Sequence, residues 1–307
     1  MAIVVTGAAG FVGRAVLRHL VRAGEQVVAV DRRPSLAAAG VRVVTADLLD
    51  AGGDVTGALR CADAVIHLAG CPGVRDDRPD VERHRARDNV DATARVLETV
   101  PPAVPLVVAS SSSVYGGSRD GRPSREDDPL RPTGGYARSK VRVEQLCAAR
   151  VADGALVTTA RPFTVAGEGQ RPDMALARWI AATRSGVPVQ VFGSTARRRD
   201  VTDVRQVAAA LVGLARSGEP GPVNVGTGVG HTLGDLLDAV EAALGRRPVV
   251  ELVPAAAEEV TATLADTARL RSLLGWVPAT DLRALVRRQA GVPAGPARTA
   301  RLEAVPA

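Results

Sequence analysis

A chain of 307 residues that is 46% hydrophobic can bury a full core, either as one large α/β unit or as a nucleotide-binding domain with a smaller companion. Its net charge of +6 comes with only 2% aromatic residues and with arginines dispersed along the sequence, which excludes the clustered basic face of a nucleic-acid-binding protein. No apolar run reaches the ~18 residues of a membrane span, Met1 leads straight into a strand-like segment, and the three cysteines lack metal-ligand or disulfide spacing. The expectation is a cytoplasmic protein with no membrane partner, no nucleic-acid partner and no bound metal.

Apolar β-type runs at 3–6, 26–31 and 41–45 enclose a helical-period segment at 11–23. Further runs at 64–67, 106–110 and 155–161 predict buried strands, with helices at 81–99 and 135–151 between them. This βαβ rhythm predicts an α/β fold with a doubly wound parallel sheet of the Rossmann type. After residue 161 the texture turns loop-rich, with a helix at 174–185, a strand at 189–192 and helices at 204–215 and 233–244. The expected organisation is a dinucleotide-binding domain over 1–161 and a smaller, mainly substrate-binding C-terminal lobe over 162–290. The chain is expected to return to the first domain within 187–225, beginning with the segment from 189. Residues 291–307, rich in Pro, Ala and Gly, are expected to be disordered.

Thr6-Gly7-Ala8-Ala9-Gly10-Phe11-Val12-Gly13 follows the first predicted strand and opens the first predicted helix. Gly7 permits a tight turn, Gly10 lets a pyrophosphate approach the backbone, and Gly13 lets helix and strand pack closely. Gly7, Ala9, Gly10, Phe11, Val12 and Gly13 are therefore candidate cofactor contacts. Asp31 ends the next strand at about the ~20-residue offset at which a carboxylate accepts bonds from ribose hydroxyls, which favours NAD. Arg32 and Arg33 could instead meet a 2′-phosphate, but Asp31 repels that group. Asp47 and Leu48, after the third strand, suit either an adenine contact or an ordinary solvated strand end.

Lys140 is the only lysine, so the other 38 of the 39 basic residues are arginine. Tyr136, one of two tyrosines, lies four residues before it, placing a phenol and an ammonium one helical turn apart on one face. A phenol is a poor base at neutral pH unless a nearby cation favours the phenolate, so the two can act as one proton-transfer unit. The bland alternative is a surface i,i+4 pair. Ser110 to Ser113, at the end of the fifth strand, either form a polar loop or present a hydroxyl to the same reacting oxygen.

TGxxGxxG, His67-Leu68-Ala69-Gly70, SSSSVYG and YxxxK occur in the order found in extended short-chain dehydrogenases. The chain resembles their NAD-dependent epimerase/dehydratase family, and within it the UDP-glucuronate 4-epimerases. The resemblance implies Ser111, Tyr136 and Lys140 as catalytic residues, and Leu68, Ala69, Gly70 and Phe163 as further NAD contacts. It implies Ser112, Ser113, Thr164 and Arg171 as ligands of a sugar carboxylate, and Arg199 as a contact to the nucleotide pyrophosphate, with Arg197 and Arg198 adjacent. Dehydrating and decarboxylating relatives carry carboxylates where this chain has Ser112 and Ser113.

The substrate implied is a nucleotide sugar, a UDP-uronate, and the assembly implied is a homodimer packed through the helices at 81–99 and 135–151. Departures from the family pattern are Ala166 for a tyrosine, Arg205-Gln206 for an acidic pair, and Ala257-Glu258-Glu259 for Pro-Gly-Asp. Alternatives are a 4-ketoreductase, an epimerase of another nucleotide sugar, and a non-catalytic dinucleotide-binding protein.

Overall fold

The computed structural model describes residues 2–50, 52–73, 78–119, 121–255 and 259–293. The expected disorder at 294–307 and the departures at Ala257 and Glu258 lie outside the described residues.

The chain opens with strand β1 (Ile3–Thr6), helix α1 (Phe11–Arg22) and strands β2 (Val27–Asp31) and β3 (Val41–Thr45). Every residue of β1 is buried, as expected for a strand covered on both faces. In α1 the buried residues Gly13, Ala15, Val16, Leu17 and Leu20 recur at helical spacing and press one face onto the sheet. Then follow α2 (Gly53–Arg60), β4 (Ala64–His67), α3 (Val81–Arg85), a π-helical turn (Ala86–Asp91) and α4 (Ala92–Thr99). The helix expected over 81–99 is thus interrupted, because one turn takes the wider i→i+5 spacing.

Strand β5 (Leu106–Ala109) leads through a 3₁₀ turn (Ser112–Tyr115) to α5 (Gly134–Ala152) and β6 (Val157–Pro162). The C-terminal part comprises β7 (Thr164–Ala166), α6 (Ala175–Ser185), β8 (Val189–Phe192), β9 (Arg198–Asp203) and α7 (Val204–Ser217). It continues with β10 (Gly221–Val225), β11 (Gly230–Thr232), α8 (Leu233–Leu244), β12 (Val250–Val253), α9 (Ala268–Leu274) and α10 (Leu282–Gln289). A capping box formed by Thr232 and Asp235 starts α8, and Gly245 at φ +66° ends it.

Seven strands form one parallel sheet in the order β10-β6-β5-β4-β1-β2-β3. The order reverses between β1 and β4, and in such sheets ligands bind at the carboxyl ends of the strands beside the reversal. One apolar layer packs α1 and α7 against the sheet; another packs α2, α4 and α5 against its other face.

Strand β8 does not join this sheet, contrary to the expectation for the segment from 189. It pairs in parallel with β12, and β10 makes the return beside β6. The burial pattern explains why: Val189 and Val191 are buried while Gln190 is exposed, so β8 has one apolar face and suits a small one-sided sheet. A third sheet, β11-β9-β7, lies beside the site. Among the described residues, no helix is long and apolar enough to cross a membrane.

Candidate active site

A single cleft of about 1200 Å³ runs along the carboxyl ends of the seven strands and into the C-terminal lobe. Every candidate site residue named from the sequence lines it, from Gly7 at one end to Arg199 at the other.

At the dinucleotide end, Gly7 has φ +68°, and a Cβ there would sit 2.5 Å from the Ala69 amide nitrogen. A Cβ on Gly13 would sit 2.1 Å from the Gly7 carbonyl oxygen. The loop closes only because both positions lack side chains. Gly10 caps α1 without any side-chain bond to the first-turn amides, which leaves N–H groups for an anion. Asp31 receives hydrogen bonds from the Ala9 amide (3.0 Å) and the Arg33 amide (2.9 Å), fixing its carboxylate beside the loop. Leu48 is buried, and Asp47 binds the Leu49 amide at 3.0 Å and Arg87 at 2.8 Å. Burial raises the Asp47 carboxyl, but the Leu49 amide and the Arg87 guanidinium outweigh it and hold the group below the usual range. The uncapped loop, the close glycine approach and the aimed carboxylate fit a dinucleotide.

Midway along the cleft, Ser111 caps the 3₁₀ turn, its hydroxyl accepting from the Ser113 amide at 3.2 Å. The same side chain neighbours the Tyr136 phenol and favours its charged form. Lys140, one turn along α5, is buried; its Nζ donates to the Ala109 carbonyl at 2.8 Å and lies 5.9 Å from the centre of the Tyr136 ring. Burial pushes the Tyr136 phenol above its ordinary value, opposed by the Ser111 hydroxyl and then by the positive charge of Arg171. Burial lowers the Lys140 ammonium to about 8. With burial the largest influence on the phenol, Tyr136 is held neutral, with Ser111 and Lys140 as its polar neighbours.

His67 is a buried, neutral imidazole held by hydroxyls on both sides. Its ring bridges the Thr6 and Thr93 hydroxyls at 2.6 and 3.1 Å, and burial together with the Lys140 charge lowers it to about 3.

Two groups beside the site carry no local signal in the sequence. Asn89, in the π turn, accepts from the Cys71 amide (2.7 Å) and donates to the Cys71 carbonyl (3.2 Å) and the Ser139 hydroxyl (2.9 Å). It thus fastens the β4 loop to α5 between Tyr136 and Lys140, and a Cβ on Gly70 would lie 2.6 Å from its Oδ1. Behind the site, Arg161 makes a buried two-pronged pair with Glu144 at 2.9 and 2.6 Å and donates to the Tyr115 hydroxyl at 2.7 Å. Glu144 also accepts from Ser110 at 2.5 Å, so the strand end carrying Ser111 is braced by a fully used charge network.

At the other end, Thr164 lies on β7, and Arg171 on the loop that follows pairs with Asp173 at 2.9 and 2.5 Å. That loop is tied from two sides. Gln289 accepts from the Gly167 amide (3.0 Å) and donates to Gln170 (2.7 Å), while Arg14 donates to both Gly169 O (3.1 Å) and Ala9 O (3.0 Å).

Ser112 and Ser113 line the cleft, and the buried Ser113 hydroxyl has no partner among the described residues. Of the three neighbouring arginines, Arg199 lines the cleft, whereas Arg197 is spent on the Glu259 and Val260 carbonyls. Arg199 lies 3.5 Å from Glu259, the described member of the departed Pro-Gly-Asp position. Asp200 is buried and accepts from the amides of Thr227, Gly228 and Ala265 at 2.9, 3.0 and 3.1 Å, anchoring β9. Arg205, at the departed acidic pair, forms an ion pair with Glu168. Among the described residues, no group of three or more His, Cys, Asp or Glu side chains is arranged to hold a metal ion.

Residues 3–226 match the NAD dependent epimerase/dehydratase family. The chain is 30% identical to an uncharacterized UDP-glucose epimerase, YtcB, of Bacillus subtilis, covering 92% of this chain and 95% of that one. It is similar to the structure of MoeE5 in complex with UDP-glucuronic acid and NAD, at 37% identity and a TM-score of 0.85, covering 95% of this chain and 98% of that one. It is also similar to UDP-glucuronic acid 4-epimerase from Bacillus cereus in complex with UDP-glucuronic acid and NAD. There the identity is 25% and the TM-score 0.86, with 95% and 98% of the two chains covered. The chain belongs to the NAD-dependent epimerase/dehydratase family, extended short-chain dehydrogenases acting on nucleotide sugars, and its cofactor is NAD.

Proposed function

We propose that the protein is a UDP-glucuronate 4-epimerase. One observation carries this reading: Arg171 and Tyr136 line the same cleft, where the guanidinium charge opposes the effect of burial on the phenol. A guanidinium beside the proton-transfer group calls for a substrate whose anionic group neighbours the reacting hydroxyl, as the C5 carboxylate of a uronate neighbours its 4-hydroxyl. A neutral hexose offers nothing to that cation. The MoeE5 and Bacillus cereus structures in complex with UDP-glucuronic acid and NAD support the same reading, while MoeE5 is also found in complex with UDP-glucose and NAD.

In this scheme the loop from Gly7 to Gly13 holds the NAD pyrophosphate through its amides, Asp31 the adenosine ribose, Asp47 and Leu48 the adenine side. Leu68, Ala69, Gly70 and Phe163 line the nicotinamide end, where Lys140 holds the ribose. Bound NAD supplies reversible hydride acceptance at C4. Tyr136 as phenolate takes the 4-hydroxyl proton and later returns it, with Lys140 keeping the local potential positive. Ser111 donates to the oxygen as it becomes a carbonyl.

A 4-keto uronate is a β-keto acid and loses carbon dioxide when its carboxylate bond swings parallel to the carbonyl π system. Arg171, Thr164, Ser112 and Ser113 prevent that swing by binding the carboxylate, each charge-assisted bond contributing about 1.5–3 kcal/mol. The unpartnered Ser113 hydroxyl suits this task. Arg199 binds the nucleotide pyrophosphate, and two copies of the chain pair through the helical segments at 81–99 and 135–151 as a homodimer.

The test is incubation of the purified protein with UDP-glucuronate and no added cofactor, followed by NMR of the sugar. UDP-galacturonate without a UDP-pentose is the expected product. Unchanged UDP-glucuronate alongside conversion of UDP-glucose would replace this reading with the neutral-hexose activity named for the Bacillus subtilis relative.

A further inference from the structure

We infer that Asp88 is a specificity-determining residue for the dinucleotide. By holding the Arg32 guanidinium it withholds the cation that would otherwise bind a 2′-phosphate, and so selects NAD over NADP.

Arg32 directly follows Asp31 at the end of β2, where the adenosine ribose would lie. A guanidinium at that point is the usual partner of a 2′-phosphate. Its side chain is 55% exposed, so packing does not dictate its direction. Its two terminal nitrogens instead donate to Asp88, at 3.3 Å to Oδ1 and 3.0 Å to Oδ2, the fork-to-fork geometry of the strongest ion pairs.

Asp88 can reach it because of the π turn, whose extra residue brings both Asp88 and Asn89 to the cleft. The Asp88 side chain is only 10% exposed and is held from its other side by Arg87 at 2.8 Å. Arg87 in turn binds Asp47 at 2.8 Å and lies 3.8 Å from Asp50, while Arg33 lies 3.7 Å from Asp31.

The ion pairs around Asp88 and Arg32 join three guanidiniums, Arg32, Arg33 and Arg87, to four carboxylates, Asp31, Asp47, Asp50 and Asp88, while Arg14 is turned to the Ala9 carbonyl. A 2′-phosphate, which adds about −1.5 to −2 charges at neutral pH, meets an ion-pair network with one carboxylate in excess and its best-placed cation engaged. Neutralising Asp88 evens the count and removes both hydrogen bonds that hold Arg32, leaving it only the longer 3.7 Å contact to Asp47. The inference concerns only the nucleotide end and stands whichever sugar the enzyme turns over.

The test uses the full-length protein stripped of nucleotide and titrated with NADH and with NADPH, binding being read from nicotinamide fluorescence. In Asp88→Asn the preference should move toward NADPH by roughly tenfold or more, equivalent to about 1.4 kcal/mol. Arg32→Ala alone should leave the preference within about threefold of the parent, and Asp88→Asn combined with Arg32→Ala should lose the gain. A preference unchanged in Asp88→Asn, or a gain that persists without Arg32, overturns the proposal. The Arg32→Ala arm is decisive even where Asp88→Asn does not fold, since a tenfold loss of NADPH affinity there would mean that Arg32 already reads the phosphate.

Discussion

The two ends of the cleft are built from different materials. At the dinucleotide end, backbone does the work: Gly7 and Gly13 allow approaches that a Cβ would block, and amides at the start of α1 face the cleft. At the opposite end, where the proposed function places the sugar, the lining is carried on a loop and a short strand and includes charged side chains already paired with one another, Arg171 with Asp173 and Arg199 with Glu259. A backbone site is specified by absence of side chains and tolerates almost no substitution. A site of paired side chains can be retuned one residue at a time, which suits a family that keeps one cofactor and varies its sugar.

The sharpest way to break this contrast is Gly13→Val. Its Cβ would fall within van der Waals contact of the Gly7 carbonyl, at a cost of at least about 4 kcal/mol. The expected outcome is a chain that either does not fold or carries no NAD, read from nucleotide released on denaturation; full NAD content would show the loop to be pliable. Tyr136→Phe should keep its NAD but turn over about 10²–10⁴-fold more slowly, and normal turnover would remove the proton-transfer assignment.

At the sugar end, Arg171→Ala should raise KM for UDP-glucuronate by about 10- to 100-fold while leaving any activity on a neutral hexose in place. Equal losses on both substrates would mean that Arg171 only supports its loop.

Lys140→Met probes the boundary between the two ends and should give the smallest change in stability, with the opposite sign. The folded-state value of about 8 lies below the ordinary 10.5. Between those pH values the unfolded chain binds more protons, so stability rises with pH, and below about 8 the buried charge is carried at a cost. Removing it should therefore stabilise the fold at pH 7 by on the order of 1 kcal/mol, after loss of the bond to the Ala109 carbonyl, while abolishing turnover. Thermal melts from pH 7 to 10.5 would check this; a lower melting temperature at pH 7 would contradict it.

Much of the fold was legible because parallel strands buried on both faces are continuous apolar runs, and helices such as α8 begin and end on explicit caps. The glycine loop, Asp31 and the Tyr136–Lys140 spacing were legible for the same reason: each depends on residues near one another in sequence.

What escaped depends on partners far apart. Glu144 meets Arg161 across α5 and β6, and β8 finds β12 some sixty residues on, which local periodicity does not encode. The π turn was hidden because wide and regular helical turns use the same residue types, so neither Asn89 nor Asp88 stood out. The short strands β7 and β11, three residues each, fell within what the sequence presents as loop.

That turn also sets a constraint on chain length. A helix that contains a π turn holds one residue more than a regular ladder needs. Deleting a single position between 86 and 91 would let i→i−4 bonding run unbroken, yet it would change the angular offset between Val81–Arg85 and Ala92–Thr99 by about 100°. The segment is therefore under two opposed demands, backbone regularity favouring the shorter form and the cleft requiring the longer one. Single-residue deletions there should be silent in helix content and loud in cofactor occupancy.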